Sequence, residues 1–143
     1  MSPLEKRAWL ALWSLCPPYV VYFAFQIGFS DRLTTMLQRI ALLAAAACVH
    51  AAVFATGTIW FMARRRREEG LLSDERDLAI DARATQGAYL LLLAGAIGAG
   101  MILPFKEAGW QIVNTSLLFI VLSEALRNAL IIRGYRGRLR LAR

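Results

Sequence analysis

The sequence predicts an all-α membrane protein with four transmembrane helices arranged as two hairpins. Three observations carry that prediction: four apolar stretches recur along 143 residues, 58% of the residues are hydrophobic, and the cations gather in alternate connecting segments. The stretches run over about 9–29, 40–62, 84–103 and 110–132. Each holds about 20 residues, the length an α-helix needs to cross hydrocarbon at a rise of 1.5 Å per residue. The mean hydropathy of +0.48 is far above that of soluble domains, whose interiors are too small at this size to hide so much apolar surface. The whole chain, 1–143, therefore reads as a single integral membrane domain.

Charge sets the expected orientation. The formal net charge is +7 and the sequence pI is about 10.3, but the cations flank apolar spans rather than lining a soluble face, so no direct nucleic-acid partner is expected. Lys6 and Arg7 precede the first span, Arg64, Arg65, Arg66, Arg67, Arg76 and Arg83 separate the second from the third, and Arg133, Arg136, Arg138, Arg140 and Arg143 follow the fourth. The two other connections hold Arg32, Arg39 and Lys106. By the positive-inside rule the N-terminus, the segment 63–84 and the basic tail 133–143 face the cytoplasm.

In the first span a charged start precedes apolar residues, as in a signal peptide. The span is too long for one and lacks a small-x-small cleavage site, so it is expected to remain in the mature protein. Pro17 and Pro18 interrupt it, removing backbone donors and predicting a kink near residues 14–15. Trp9 and Trp13 fall where an inner interfacial belt belongs. Cys16 and Cys48 lie near the middle of the first and second spans, where two small, buried, reduced side chains are expected rather than a disulfide.

The second and third spans are rich in alanine and glycine. Ala94 with Gly98, and Ala96 with Gly100, have the small-xxx-small spacing that lets helix backbones approach closely. These two spans are expected to be contact helices, either with each other or with a second copy, and a homodimer is the expected assembly. The bilayer itself is the other partner, and the cluster Arg64, Arg65, Arg66 and Arg67 reads as an anchor for anionic lipid headgroups.

Polar residues at membrane depth are costly and often mark function. They are His50, Asn114, Glu124, Arg127 and Asn128. Glu124 shares a helix face with Arg127 and Asn128, three and four residues on, which predicts local pairing with Arg127 reaching toward the headgroups. His50 and Glu124 differ in predicted depth by about 6 Å, so they are candidates for a proton relay.

In the segment 63–84, Ser73 reads as a helix N-cap, and Asp74 and Glu75 suit the positive end of the helix dipole. With no breaker before Gly87, that helix is expected to run on into the third span. Asp74, Asp77 and Asp81 then form an acidic stripe, with Arg76 and Arg83 on another face. Carboxylates from one helix face seldom enclose a hard cation, and no metal site is expected. Asp74, Glu75, Arg76, Asp77 and Asp81 read instead as a docking surface.

The run Asp74, Glu75, Arg76, Asp77, followed by Ile80, Ala84, Ala88 and an apolar span, resembles a family of small uncharacterised prokaryotic membrane proteins that carry D-E-R-D ahead of a transmembrane segment. The likeness covers about 30 residues of sequence. It implies a multi-pass protein of the prokaryotic cytoplasmic (inner) membrane. Because some members are encoded beside helix-turn-helix regulators, it also implies holding or sensing for a soluble partner. No catalytic residue carries over from the family.

Nothing in the sequence announces a reaction. It holds no paired metal-ligand motif, nucleophile elbow, Gly-rich phosphate loop or redox-spaced cysteine pair, and no cofactor is expected. The first expectation is a non-enzymatic membrane protein that acts on a cytoplasmic protein partner through the helix 73–84. A small oligomeric transporter or channel using His50 and Glu124 is the alternative, and a membrane-embedded enzyme comes third.

Overall fold

The computed structural model describes residues 3–29, 35–65, 75–105 and 109–139, and is helical across them. The helices are α1 (Pro3–Gly28), α2 (Met36–Arg65), α3 (Glu75–Ile97) and α4 (Gly109–Leu139). All four are long and apolar enough to cross a membrane, which supports a multi-pass protein. Ser73 and Asp74 lie outside the described residues, as do Arg66, Arg67 and the end of the basic tail.

Local chemistry accounts for the helix boundaries. At the start of α2, Gln38 N–H donates to Thr35 Oγ1 at 3.4 Å and Thr35 N–H donates to Gln38 Oε1 at 3.3 Å. This reciprocal capping box satisfies two donors that the first turn would otherwise leave bare in an apolar medium. α3 begins with Glu75 and Asp77 in its first turn, at the positive end of the dipole. It runs unbroken from there into the apolar stretch, as the absence of a breaker predicts.

Beyond Ile97 the chain widens into a π-helical turn, Gly98–Ile102, and then tightens into a 3-10 turn, Leu103–Phe105. Two glycines in the wide turn and Pro104, which has no N–H to continue an α-ladder, make this end of the span irregular. α1, by contrast, stays helical through Pro17 and Pro18. Several serine and threonine hydroxyls along the spans are satisfied within their own helices. Thr56 and Thr58 donate to the carbonyls of Ala52 and Phe54 at 2.7 Å, and Ser116 to that of Ile112 at 2.8 Å, as a medium without water requires.

The chain divides into two compact units, Met1–Trp9 with Ser73–Arg143, and Leu10–Leu72. In the first, α3 and α4 run antiparallel and close. Gly134 meets Ile80, Gly87 meets Leu130 and Gly95 meets Phe119. The buried small residues of α3 are Ala84, Ala88 and Gly95, with Ala99 in the π-helical turn beyond it, and the buried side chains of α4 include Val121, Ser123, Asn128, Ile131, Ile132 and Tyr135. Small on one helix therefore meets large on the other, which brings the two backbones together.

The close contact of α3 with α4 falls at Gly95 rather than at the Ala94–Gly98 or Ala96–Gly100 pairs. Ala94, Ala96 and Gly100 are exposed, and a Cβ at Gly98 or Gly100 would meet nothing within 4 Å. Because nearly every face of this stretch carries a small residue, spacing alone does not choose the contact face. The contacts near Asp77, Asp81 and Ala84 choose it, and α3 uses that face against α4.

In the second unit, α1 and α2 touch where Leu10 lies against Gly57 and where the Tyr19 and His50 rings lie 6.0 Å apart. Among the described residues Ala46 is the buried side chain of α2. Cys16 is half-buried, Cys48 is exposed, and both are free thiols. The expectation that both are buried is corrected for Cys48, which lies in an exposed run of α2, Ala47–Val49.

Candidate functional site

The densest polar chemistry at membrane depth lies between α3 and α4. On α3, Asp77, Asp81 and Thr85 recur every four residues and so share one face. On α4, Glu124, Arg127, Asn128 and Tyr135 fall on the facing side. The antiparallel register sets Asp77 opposite Tyr135, and Asp81 and Thr85 opposite Arg127.

Arg127 is the hub. Its Nη2 donates to Asp81 Oδ1 at 2.8 Å, its Nε donates to Thr85 Oγ1 at 3.1 Å, and its Nη1 lies 3.5 Å from Glu124 Oε1. The guanidinium fork presents donors in fixed directions, so a single side chain reaches two groups on α3 and one on its own helix. The Arg127 and Asp81 side chains are 33% and 36% exposed, which places the pair at the edge of the helix interface rather than deep within it.

Around the hub, Asn128 Nδ2 donates to the Glu124 carbonyl at 2.8 Å and to Glu124 Oε1 at 3.1 Å. Tyr135, itself buried, donates its hydroxyl to Asp77 Oδ1. Ile131, at 2% exposure, lies between Tyr135 and Arg127 along α4 and sets a buried apolar side chain between the two polar clusters.

The expected pairing of Glu124 with Arg127 and Asn128 is present, but the shorter bond of Arg127 goes to Asp81 on the neighbouring helix. Asp77 and Asp81 are engaged with α4. Of the remaining residues read as a docking stripe, Glu75 is exposed, Asp74 lies outside the described residues, and the Arg76 side chain is not described. The exposed face of the same stretch carries Glu75, Leu78, Ala79, Ala82 and Arg83.

Thr85 and Tyr135 are the members that the sequence reading did not pick out. Tyr135 sits among the tail arginines, but it lies seven residues beyond Asn128, and that heptad spacing was the available signal. Asn114 is half-buried on α4.

His50 and Glu124 belong to different units, and each has its own neighbours. His50 lies between the rings of Tyr19 and Phe54, with centroids 6.0 and 6.1 Å away. Its Nδ1 is buried and has no hydrogen-bond partner among the described residues. Arg64 stacks over the Trp60 ring at 4.6 Å, one turn earlier on α2. The Arg65 side chain is not described.

Among the described residues no group of three or more His, Cys, Asp or Glu side chains could hold a metal ion. Three of the carboxylates on α3 and α4, Asp77, Asp81 and Glu124, are already turned to Arg127, Asn128 and Tyr135. The arrangement joins two helices through charge and holds titratable groups close together.

No protein-family model matches the chain, and no curated protein or solved structure matches it.

Proposed function

We propose that the chain is a non-enzymatic, four-span protein of the prokaryotic cytoplasmic membrane, with both termini inside and its helices in two hairpins, and that it regulates or senses for a cytoplasmic protein partner. A homodimer is the proposed assembly. The observation that carries this reading is the continuity of α3, from Glu75 through Ile97, together with its bonds to α4 through Asp77 and Asp81. A partner held on the exposed start of α3 would be tied to the packing of α4, so that a change on either side moves the other.

The docking surface proposed from this geometry is the outward face of α3, with Glu75, Leu78, Ala82 and Arg83, while Asp77 and Asp81 hold that face in place. Leu78 is 61% exposed although it lies in a polar stretch, which suits an apolar anchor within a charged rim. Arg64 and its neighbours serve anionic headgroups.

The test is site-specific photocrosslinking from position 78 in native membranes, followed by mass identification of adducts. A soluble protein captured from position 78, but not from the buried position 84, is the expected result. Adducts to lipid or to the chain itself at both positions would remove the partner reading.

A second reading, a small oligomeric transporter or channel, draws support from the partnerless His50 Nδ1 within a span. It requires proton or ion flux in proteoliposomes that falls when His50 or Glu124 is replaced.

A further inference from the structure

In the unit formed by Met1–Trp9 and Ser73–Arg143, most of the described carboxylates are engaged by neighbouring side chains or buried, while several cations are exposed. Glu5 is 8% exposed, Asp77 is bonded to Tyr135, Asp81 is paired with Arg127, and Glu124 is held by Asn128 and Arg127. Lys6, Arg7, Arg133 and Arg136 are all exposed. Glu75 is exposed, but the other described carboxylates of the unit are drawn into helix contacts, and these four cations are left on the outside.

One of these cations is already oriented. The Arg136 guanidinium lies over the Trp9 ring, 5.2 Å from its centroid. This contact joins the start of α1 to the end of α4. Stacking on an indole holds the planar group flat and leaves its N–H edge free to donate, while restricting rotamers that would otherwise be lost on binding. Arg133 lies one turn before Arg136 on α4, and Lys6 one turn before Trp9 on α1. A tryptophan at the end of an apolar span occupies the headgroup level, so the guanidinium stacked on it sits at the same depth.

The geometry points to a binding site for the phosphate of an anionic phospholipid, formed by Arg136 on Trp9 and flanked by Arg133 and Lys6. The fork of Arg136 takes two phosphate oxygens, and its flanking cations add attraction for a headgroup with net negative charge. The occupant is a lipid rather than free phosphate because the platform is an indole at the edge of an apolar span, against which acyl chains can lie. Arg64, which belongs to the other unit, stacks instead on Trp60 of its own helix. The site rests on the membrane placement of the helices and not on the protein partner proposed above.

The experiment titrates phosphatidylglycerol into the full chain held in a neutral detergent and counts bound lipid by native mass spectrometry. Arg136→Gln is expected to weaken binding about fivefold, the effect of one cation near the surface. Arg136→Lys should fall between that variant and the wild type, because it keeps the charge and loses the planar fork. Should Arg136→Gln lose helicity or melt early, Arg133→Gln and Lys6→Gln carry the test, each with an expected severalfold loss.

Unchanged affinity in the folded variants would overturn the site. So would phosphatidylcholine binding as tightly as phosphatidylglycerol. Displacement of the lipid by inorganic phosphate at matched ionic strength would reassign the site to the free anion and also overturn the proposal.

Discussion

The pair α3 and α4 and the pair α1 and α2 solve the same problem with different chemistry. Both consist of apolar helices that gain little from burying more apolar surface, because lipid is as apolar as leucine. α3 and α4 gain association from close packing at glycines and from charge-assisted bonds through Arg127. α1 and α2 meet at Leu10 with Gly57 and at Tyr19 with His50, through a flexible apolar end and a pair of rings. The difference teaches that apolar length brings a helix into the membrane, whereas small-to-large fit and polar pairing decide which neighbour it holds.

The largest expected effect comes from filling the tightest contact. A Cβ at Gly95 would overlap the Cβ and ring of Phe119, atoms too near the α4 backbone to swing aside. Gly95→Val should lower stability by about 3 kcal/mol, the upper part of the usual range for overpacking. At Gly57 the obstacle is the flexible end of Leu10, so Gly57→Ala should cost about 1 kcal/mol or less. Unfolding of both variants in mixed micelles measures the contrast, and equal losses would erase the distinction between the two pairs.

The next effect tests the charge. Arg127→Met removes the donors to Asp81 and Thr85 and leaves the carboxylates of Asp81 and Glu124 without their cation. With both partners about one-third exposed, the expected loss is about 2 kcal/mol. Adding Asp81→Asn to Arg127→Met should recover part of that loss, because the stranded charge is then gone. A cycle with no coupling would mean that the bond contributes nothing beyond its presence at the surface.

The smallest effect is expected on the outer face of α2. Cys48 is exposed and free, so Cys48→Leu should change stability by no more than about 0.5 kcal/mol. A membrane-permeant thiol reagent should modify Cys48 faster than the half-buried Cys16. A large loss on substitution, or protection of Cys48 from the reagent, would show that a second copy covers this face, as the proposed homodimer allows.

How far the molecule was legible beforehand varies from residue to residue. The four helices follow from apolar run length, which is a local property. The continuity of α3 follows from the lack of a breaker between Glu75 and Gly87. The contact of Glu124 with Arg127 and Asn128 follows from helical spacing. The bond from Arg127 to Asp81 crosses 46 residues of chain, and no local spacing encodes it. Tyr135 was hidden for the same reason, since its partner Asp77 lies on another helix.

The sequence by itself determined that four helices are long and apolar enough to cross a membrane and where their polar residues lie along the chain, because helix formation and transfer into lipid depend on neighbouring residues and summed hydropathy. Only the tertiary structure decided that Asp77 and Asp81 turn toward α4, that Gly95 rather than Gly98 is the close contact, and that Arg136 rests on Trp9. Those choices depend on the rotation and register of one helix against another. In lipid, where apolar faces are nearly equivalent, a few bonds and fitted side chains set them.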